Sequence, residues 1–415
     1  MEHGAIFGWT MLWIIFWGIV GGIVTPRVYE RRNLDVSQAR LGGTAIGAAT
    51  GPIGLIPLWV FSPTLSSRWI TAAGLLIVAI LAVAFARADP NNLCVTNGGF
   101  VASQLTNGIV IGIIYSLMAL GLTLIYSILG VVSFAHGEFY MIGGMVVYYM
   151  SVSALFENAN PLVWLLGAAV VTFLIGVAFE RMFLRVMNTG QIERPKEYAI
   201  LVTFGLAFFL QYATQALIGA NPVKTQRFFP FPNLDIPSQE SAWLIKTTSG
   251  NIRLFDAVSI PNPRFTAAAI AVILLLMLMW FLYKTWTGKA LRAVSQDQQA
   301  AAVAGINPNT MNTLAFGMGA MLAGLSGATL VQVFAWLPQV GIPASARAFV
   351  IIVLGGMGSL PGAFLGGLLV GLVEAAGTGC IPDTTRAAAY IPAYGMVILT
   401  LTLLLKPTGF FGREL

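Results

Sequence analysis

Apolar stretches of about twenty residues, each free of charge, recur along this 415-residue chain, and nothing else limits its fold as severely. Unpaired backbone groups in hydrocarbon cost several kcal/mol each, and a helix satisfies its own. The clearest stretches run over residues 6–24, 69–86, 108–129, 162–179, 198–218, 265–283, 314–336 and 388–405. Less regular ones, broken by Gly and Pro, cover 41–61, 139–156 and 349–373. Only 9% of residues are charged, against about a quarter in soluble domains, so water is not the main solvent. The fold class is all-α: a polytopic transmembrane helical bundle with broken or re-entrant segments.

The 45 glycines lie largely inside apolar stretches, often four apart, as in Gly108 and Gly112 or Gly367 and Gly371. At that spacing small residues let helix backbones approach closely in lipid, so these glycines read as packing surfaces. The net charge of +6 sits in short patches beside the stretches, the pattern of membrane topology and not of nucleic-acid binding. The first stretch lacks basic residues ahead of it and a small-residue cleavage site, so it reads as a retained helix and not a signal peptide.

Arg181, Arg185, Arg194 and Lys196 crowd one loop, and Lys284, Lys289 and Arg292 open another; both therefore face the cytoplasm. The long polar stretch 219–264 between them faces outside, and Lys406 and Arg413 place the C-terminus inside. The span ending near Trp336 then emerges outside, while the last span must also start outside. An even number of crossings, or a re-entrant hairpin, lies between. Gly355–Ala363 (GGMGSLPGA) interrupts that interval and predicts a helix break. The break is either irregular backbone lining a translocation path, with Gly355, Gly356, Gly358 and Ser359 as path residues, or a tight turn between short helices. Arg27, Arg31, Arg32 and Arg40 fall on the wrong side if every N-terminal stretch crosses, so 41–61 is expected to lie in or on the membrane without crossing.

No catalytic constellation exists: the histidines are His3 and His136, with no zinc pattern. The Gly288–Lys289 pair is followed by Ala290, so the hydroxyl that binds nucleotide magnesium is missing. The chain carries no cofactor, and ATP with its magnesium belongs to partner subunits. Ionisable groups at membrane depth are functional candidates, which singles out Ser133, Phe134, His136 and Glu138 in SFAHGEFYMIGG as path residues, against an interfacial position touching water. Arg292–Asn309 (RAVSQDQQAAAVAGINPN) predicts a short cytoplasmic helix stopped at Gly305 and Pro308. It is either an amphipathic connector or a coupling helix docking into an ATPase through Arg292, Gln296, Asp297 and Gln299.

The run from Asn107 through SFAHGEFYMIGG, the RAVSQDQQAAAVAGI segment, and AFVIIVLGGMGSLPGAFLGGLLVGLVEA with the closing LLLKPTGFFGREL resemble the branched-chain amino acid permease family of ABC importers. The resemblance covers about residues 100–415. It implies a transport subunit in a bacterial or archaeal inner membrane, with no enzymatic activity of its own. Its implied partners are a second related permease, two cytoplasmic ATPase subunits, an extracytoplasmic binding protein, a small-molecule substrate and membrane lipid. Relatives for urea or short amides remain an alternative, as does a stand-alone secondary transporter, which usually shows midspan ion-coupling charges in two repeats. This chain shows few such charges beyond Glu138, Glu180 and Glu374. Residues 1–100 form an additional N-terminal membrane region of about two to three helices, and 101–415 the permease core of about eight segments. The two cysteines, Cys94 and Cys380, both fall outside, where they pair if their Cα atoms lie within about 7 Å and otherwise remain free thiols.

Overall fold

The computed structural model describes residues 2–31, 39–50, 55, 94, 97–189, 192–226, 228, 245–248, 251–254, 258–380, 387–406 and 408–412. The span expected over 69–86 lies outside the described residues, as does Arg32. The chain divides into two compact units, one of residues 1–92, 381–383 and 401–410, the other of 93–380, 384–400 and 411–415.

In the first unit, helices α1 (Glu2–Arg31) and α2 (Ala39–Thr50) pack through small residues. Trp17 faces Gly47 and Gly21 faces Gly43, so the helices run antiparallel; a Cβ on Gly21 would sit 2.0 Å from the Gly43 carbonyl oxygen. Tyr29, Ala39, Ile46 and Leu55 are buried there, with Trp17 against them. Helix α2 covers the first half of the stretch 41–61, of which residues 51–54 and 56–61 lie outside the described residues.

The second unit holds α3 (Gly98–Leu129), α4 (His136–Val152), α5 (Pro161–Phe179), α6 (Pro195–Ile218), α7 (Asn262–Lys284), α8 (Trp286–Gln296), α9 (Gln298–Val303), α10 (Pro308–Leu330), α11 (Gly341–Gly355) and α12 (Leu360–Cys380), and the larger part of α13 (Ile391–Leu405). Seven helices among the described residues are long and apolar enough to cross a membrane. Local chemistry sets their ends. Asn97 caps α3, whose C-terminus closes on Gly130 at φ 68°. Asn160 with Pro161 starts α5 and Asn307 with Pro308 starts α10, the proline placed where no N–H is needed. A small antiparallel sheet, β1 (Ile245–Thr248), β2 (Asn251–Leu254) and β3 (Val258–Pro261), adds a feature to the long polar stretch that its composition did not foretell.

The core is built around α10, against which α3, α4 and α5 pack. Its glycines admit neighbouring backbones: a Cβ on Gly143 of α4 would lie 1.9 Å from the Gly324 oxygen. The predicted span 314–336 ends early, at Leu330. Beyond it the chain turns so that Trp336 pairs its backbone with Val223 (N···O 2.8 and 2.9 Å) and slots its indole between Gly144 and Gly327. The stretch 349–373 resolves into α11 and α12, two antiparallel helices between α10 and α13. Cys94 and Cys380, whose pairing the sequence left open, are joined by a disulfide with Cα atoms 5.3 Å apart.

Candidate translocation site

Close approach of α3 and α12 positions the most polar cluster within the helices. A Cβ on Gly112 would meet the Leu368 Cα at 2.9 Å, and one on Gly371 the Gly112 Cα at 2.5 Å, so only glycine fits this seam. Ser116 adds a hydroxyl bond to the Phe364 carbonyl at 2.8 Å. With the backbones this close, the Tyr115 hydroxyl of α3 donates to Glu374 Oε2 of α12 at 3.0 Å. From α11, Arg347 Nε donates to Glu374 Oε1 at 3.1 Å, and its guanidinium lies 5.6 Å from the centre of the Tyr115 ring. Glu374 is 9% exposed, so its charge survives in the interior only because both oxygens have partners. Three helices are thereby tied through one carboxylate.

This triad borders a cavity of about 580 Å³, a size typical of small-molecule sites. Asn107, Tyr140, Arg264, Phe334 and Trp336 also line it. Trp336 is fixed by its indole N–H to the Met141 carbonyl at 3.0 Å, and its ring centre lies 4.8 Å from that of Tyr140. Arg264, in the first turn of α7, stands 6.0 Å from the Phe334 ring centre.

The expected path residues occupy other places. Ser133, His136 and Glu138 are buried, and none of them lines the cavity. His136 Nε2 bonds the Met118 carbonyl at 2.8 Å, and the Gly137 N–H donates to Ser345 Oγ at 2.8 Å. The Glu138 carboxylate lies against Gly341 at the N-terminus of α11, where the helix dipole favours a negative group. Phe134 is 42% exposed, its ring edge-on to Phe204 at 5.9 Å. The segment is thus a packed junction between the starts of α4 and α11, and Tyr140, two positions beyond Glu138, is the residue of that run that reaches the cavity. Gly355, Gly356, Gly358 and Ser359 form a tight turn between antiparallel helices, with φ 95° at Gly356 and 85° at Gly358. Ser359 Oγ accepts from the Gly362 N–H, and the Phe411 N–H donates to the Gly355 carbonyl at 3.0 Å.

The expected single helix from Arg292 is two. It breaks at Asp297, whose carboxylate accepts from the Gln299 and Ala300 N–H groups at 2.8 and 3.0 Å and so caps α9. Arg292 is likewise engaged, donating to the Leu282 carbonyl at 3.1 Å and lying 4.6 Å from the Tyr283 ring centre. Gln296 and Gln299 are exposed, as is Val303 at 91%, while Gly305 adopts the left-handed stop at φ 86°. Glu180, at the other end of α5, accepts from the Thr313 hydroxyl and stands apart from the cavity.

Arg347, Arg264 and Tyr115 escaped the sequence reading. Arg347 carries the one available signal, a lone charge just ahead of the apolar run AFVIIVL. Tyr115 and Arg264 have none, because their importance comes from what α11 and α12 bring beside them.

Residues 104–406 match the family model described as branched-chain amino acid transport system / permease component. The chain is 31% identical over 321 residues to the high-affinity branched-chain amino acid transport system permease protein LivH of Escherichia coli, covering 76% of this chain and 96% of that one. It is 32% identical over 320 residues to the corresponding protein BraD of Pseudomonas aeruginosa, covering 75% and 95%. A fructose import permease of Rhizobium meliloti is 30% identical over a shorter 195 residues, 45% of this chain. No solved structure matches the chain significantly.

Proposed function

The chain belongs to the branched-chain amino acid transport system permease family, and from that premise we propose that it forms half of an ATP-driven uptake pathway for branched-chain amino acids. It is a multi-pass membrane permease of an ABC transporter, works with other subunits, and leaves ATP to them. In the proposed assembly a second, related permease supplies the other half of the pathway. Two ATPases dock below it, and an extracytoplasmic binding protein delivers substrate above.

The observation that carries this reading is the cavity bordered by Tyr115, Arg347 and Glu374. A closed polar triad tying α3, α11 and α12 is a place where small helix shifts change what faces the cavity. Coupling to the ATPases would run through the exposed Gln296, Gln299 and Val303 of α8 and α9. Asp297, exposed beside them, and Arg292 also hold the shape of that element, through the cap on α9 and the bond to the Leu282 carbonyl. Reconstitution with the co-purified partners tests the reading: ATP-dependent accumulation of leucine supports it, and its absence with intact ATPases refutes it. Replacing Gln299 with Trp is expected to uncouple hydrolysis from transport, while the insertion of the chain stays normal.

A further inference from the structure

We propose that Arg264 and Asn107 are the carboxylate and ammonium receptors of a site for free apolar α-amino acids in the Tyr115–Glu374 cavity, an inference that rests on the transport reading above. Three charged side chains line the cavity: Arg264, Arg347 and Glu374. Two of them are consumed by each other. Glu374 holds Arg347 through Oε1 and the Tyr115 hydroxyl through Oε2, so its charge is matched before any ligand arrives. Among the described residues Arg264 has no such partner. The ion pairs among the described residues are Arg194–Glu197 and Arg347–Glu374, and what faces Arg264 is the Phe334 ring at 6.0 Å. Among the described residues the lining therefore carries one unmatched positive charge, in a partly desolvated place where an anionic group is strongly favoured.

Asn107 supplies the complementary group. It is 9% exposed, and its Oδ1 is buried without a hydrogen-bond partner, an unsatisfied acceptor in the cavity wall. Leaving such an acceptor empty is costly, and an ammonium N–H satisfies it. Asn107, Ile111 and Tyr115 follow at spacings of four along α3 and so share one face. Ile111, with Leu330 and Phe334, gives the cavity an apolar wall for an aliphatic side chain. One unmatched cation, one unmatched acceptor and one apolar wall describe a zwitterion with a hydrocarbon side chain. Urea or a neutral amide would leave Arg264 unanswered, and a simple anion would leave Asn107 so.

The test uses the assembled transporter. Cys94 and Cys380 are bonded to each other, so a thiol introduced by Ala335→Cys, at an exposed position lining the cavity, is the reactive one in this chain. Leucine is expected to slow its reaction with a water-soluble maleimide several-fold, whereas leucinamide and urea leave the rate unchanged. Arg264→Gln is expected to abolish protection and raise the KM for leucine uptake on the order of tenfold or more, with Arg264→Lys retaining part of both. Asn107→Leu should weaken protection by a smaller factor. Co-purification of each variant with its ATPases serves as the folding control. Protection by leucinamide equal to that by leucine, or a wild-type KM in Arg264→Gln, overturns the proposal while leucine uptake stands. Failure of the wild-type complex to take up any branched-chain amino acid overturns the transport reading itself and this inference with it.

Discussion

Helices α10 and α6 are of nearly equal length and both apolar, yet the central window of α10 is 89% buried within the chain and that of α6 only 17%. Hydrophobicity does not separate them. What does is side-chain size: α10 presents Gly317, Gly319, Gly324 and Gly327 to its neighbours, whereas α6 presents Leu201, Phe204, Phe208 and Phe209 outward. In lipid there is no hydrophobic gain from bringing two helices together, because tails are as apolar as leucine. Association comes from close backbone approach and from satisfied polar groups, so helices that collect glycines become the core. Bulky residues mark the surface.

The contrast is broken most severely by Gly327→Val. A Cβ there would lie 1.9 Å from the Tyr140 carbonyl oxygen and 3.2 Å from the Trp336 indole, and a backbone oxygen cannot rotate away. Separating α4 from α10 would also eject Trp336 from its slot. A loss of more than about 3 kcal/mol is expected, read as failure to recover a monodisperse peak in detergent.

Next in size is the polar part of the interior. Glu374→Ala leaves Arg347 and the Tyr115 hydroxyl without their partner, which costs about 3–5 kcal/mol in a buried setting. Arg347→Met combined with Glu374→Leu removes both charges, and most of that stability should return while leucine uptake does not. Thermal melting of the two variants separates packing from function: equal melting temperatures in both would show that the pair is not desolvated as its geometry indicates.

The disulfide comes third. Closing a 286-residue separation would contribute on the order of 5 kcal/mol if the reference state were a free coil. That reference does not apply here, since α3 and α12 are already confined by the membrane and by the Gly108–Gly112 seam. Cys380→Ser is therefore expected to cost about 1 kcal/mol, measured as a small shift in melting temperature that dithiothreitol reproduces in the wild type. A shift as large as the coil value would mean that the α3–α12 seam forms only once the bond has closed.

The same physics decides what was legible in the sequence. Apolar length exposed the helices of the second unit, and Gly355–Ala363 exposed the break between α11 and α12, because glycine at φ 95° and 85° has few substitutes. Apolarity does not mark the end of the span 314–336, because Trp336 is itself apolar, and the slot between Gly144 and Gly327 explains why the chain turns before it. Asp297 is exposed and also caps α9, a role that depends on where a helix starts, which the Ala-rich pattern does not mark. Ionisable residues drew attention to Glu138, but the cavity belongs to Arg264, Arg347 and Glu374, which come from three separate helices. Their meeting is a tertiary fact without a local signature.

The smallest effect is expected on α6 itself. Gly205 sits at its middle, and a Cβ added there meets nothing within 4 Å, the opposite of Gly327. In water, Gly→Ala inside a helix gains up to about 1 kcal/mol, because glycine loses more backbone freedom on folding. In a bilayer the alternative to helix is already excluded by unsatisfied backbone groups, so most of that gain is absent. Gly205→Ala should therefore move the melting temperature of the isolated subunit by less than the equivalent of about 0.5 kcal/mol. Gly205→Leu should do the same, since its longer side chain only joins the Phe204, Phe208 and Phe209 surface. The assembled transporter then assigns the face. Unchanged co-purification of both variants with the partner subunits means that α6 meets lipid, and loss confined to the leucine variant means that a second helix seats on Gly205 in the complex. A drop in the stability of the isolated subunit would contradict the open space around Gly205, and with it the rule that separates α6 from α10.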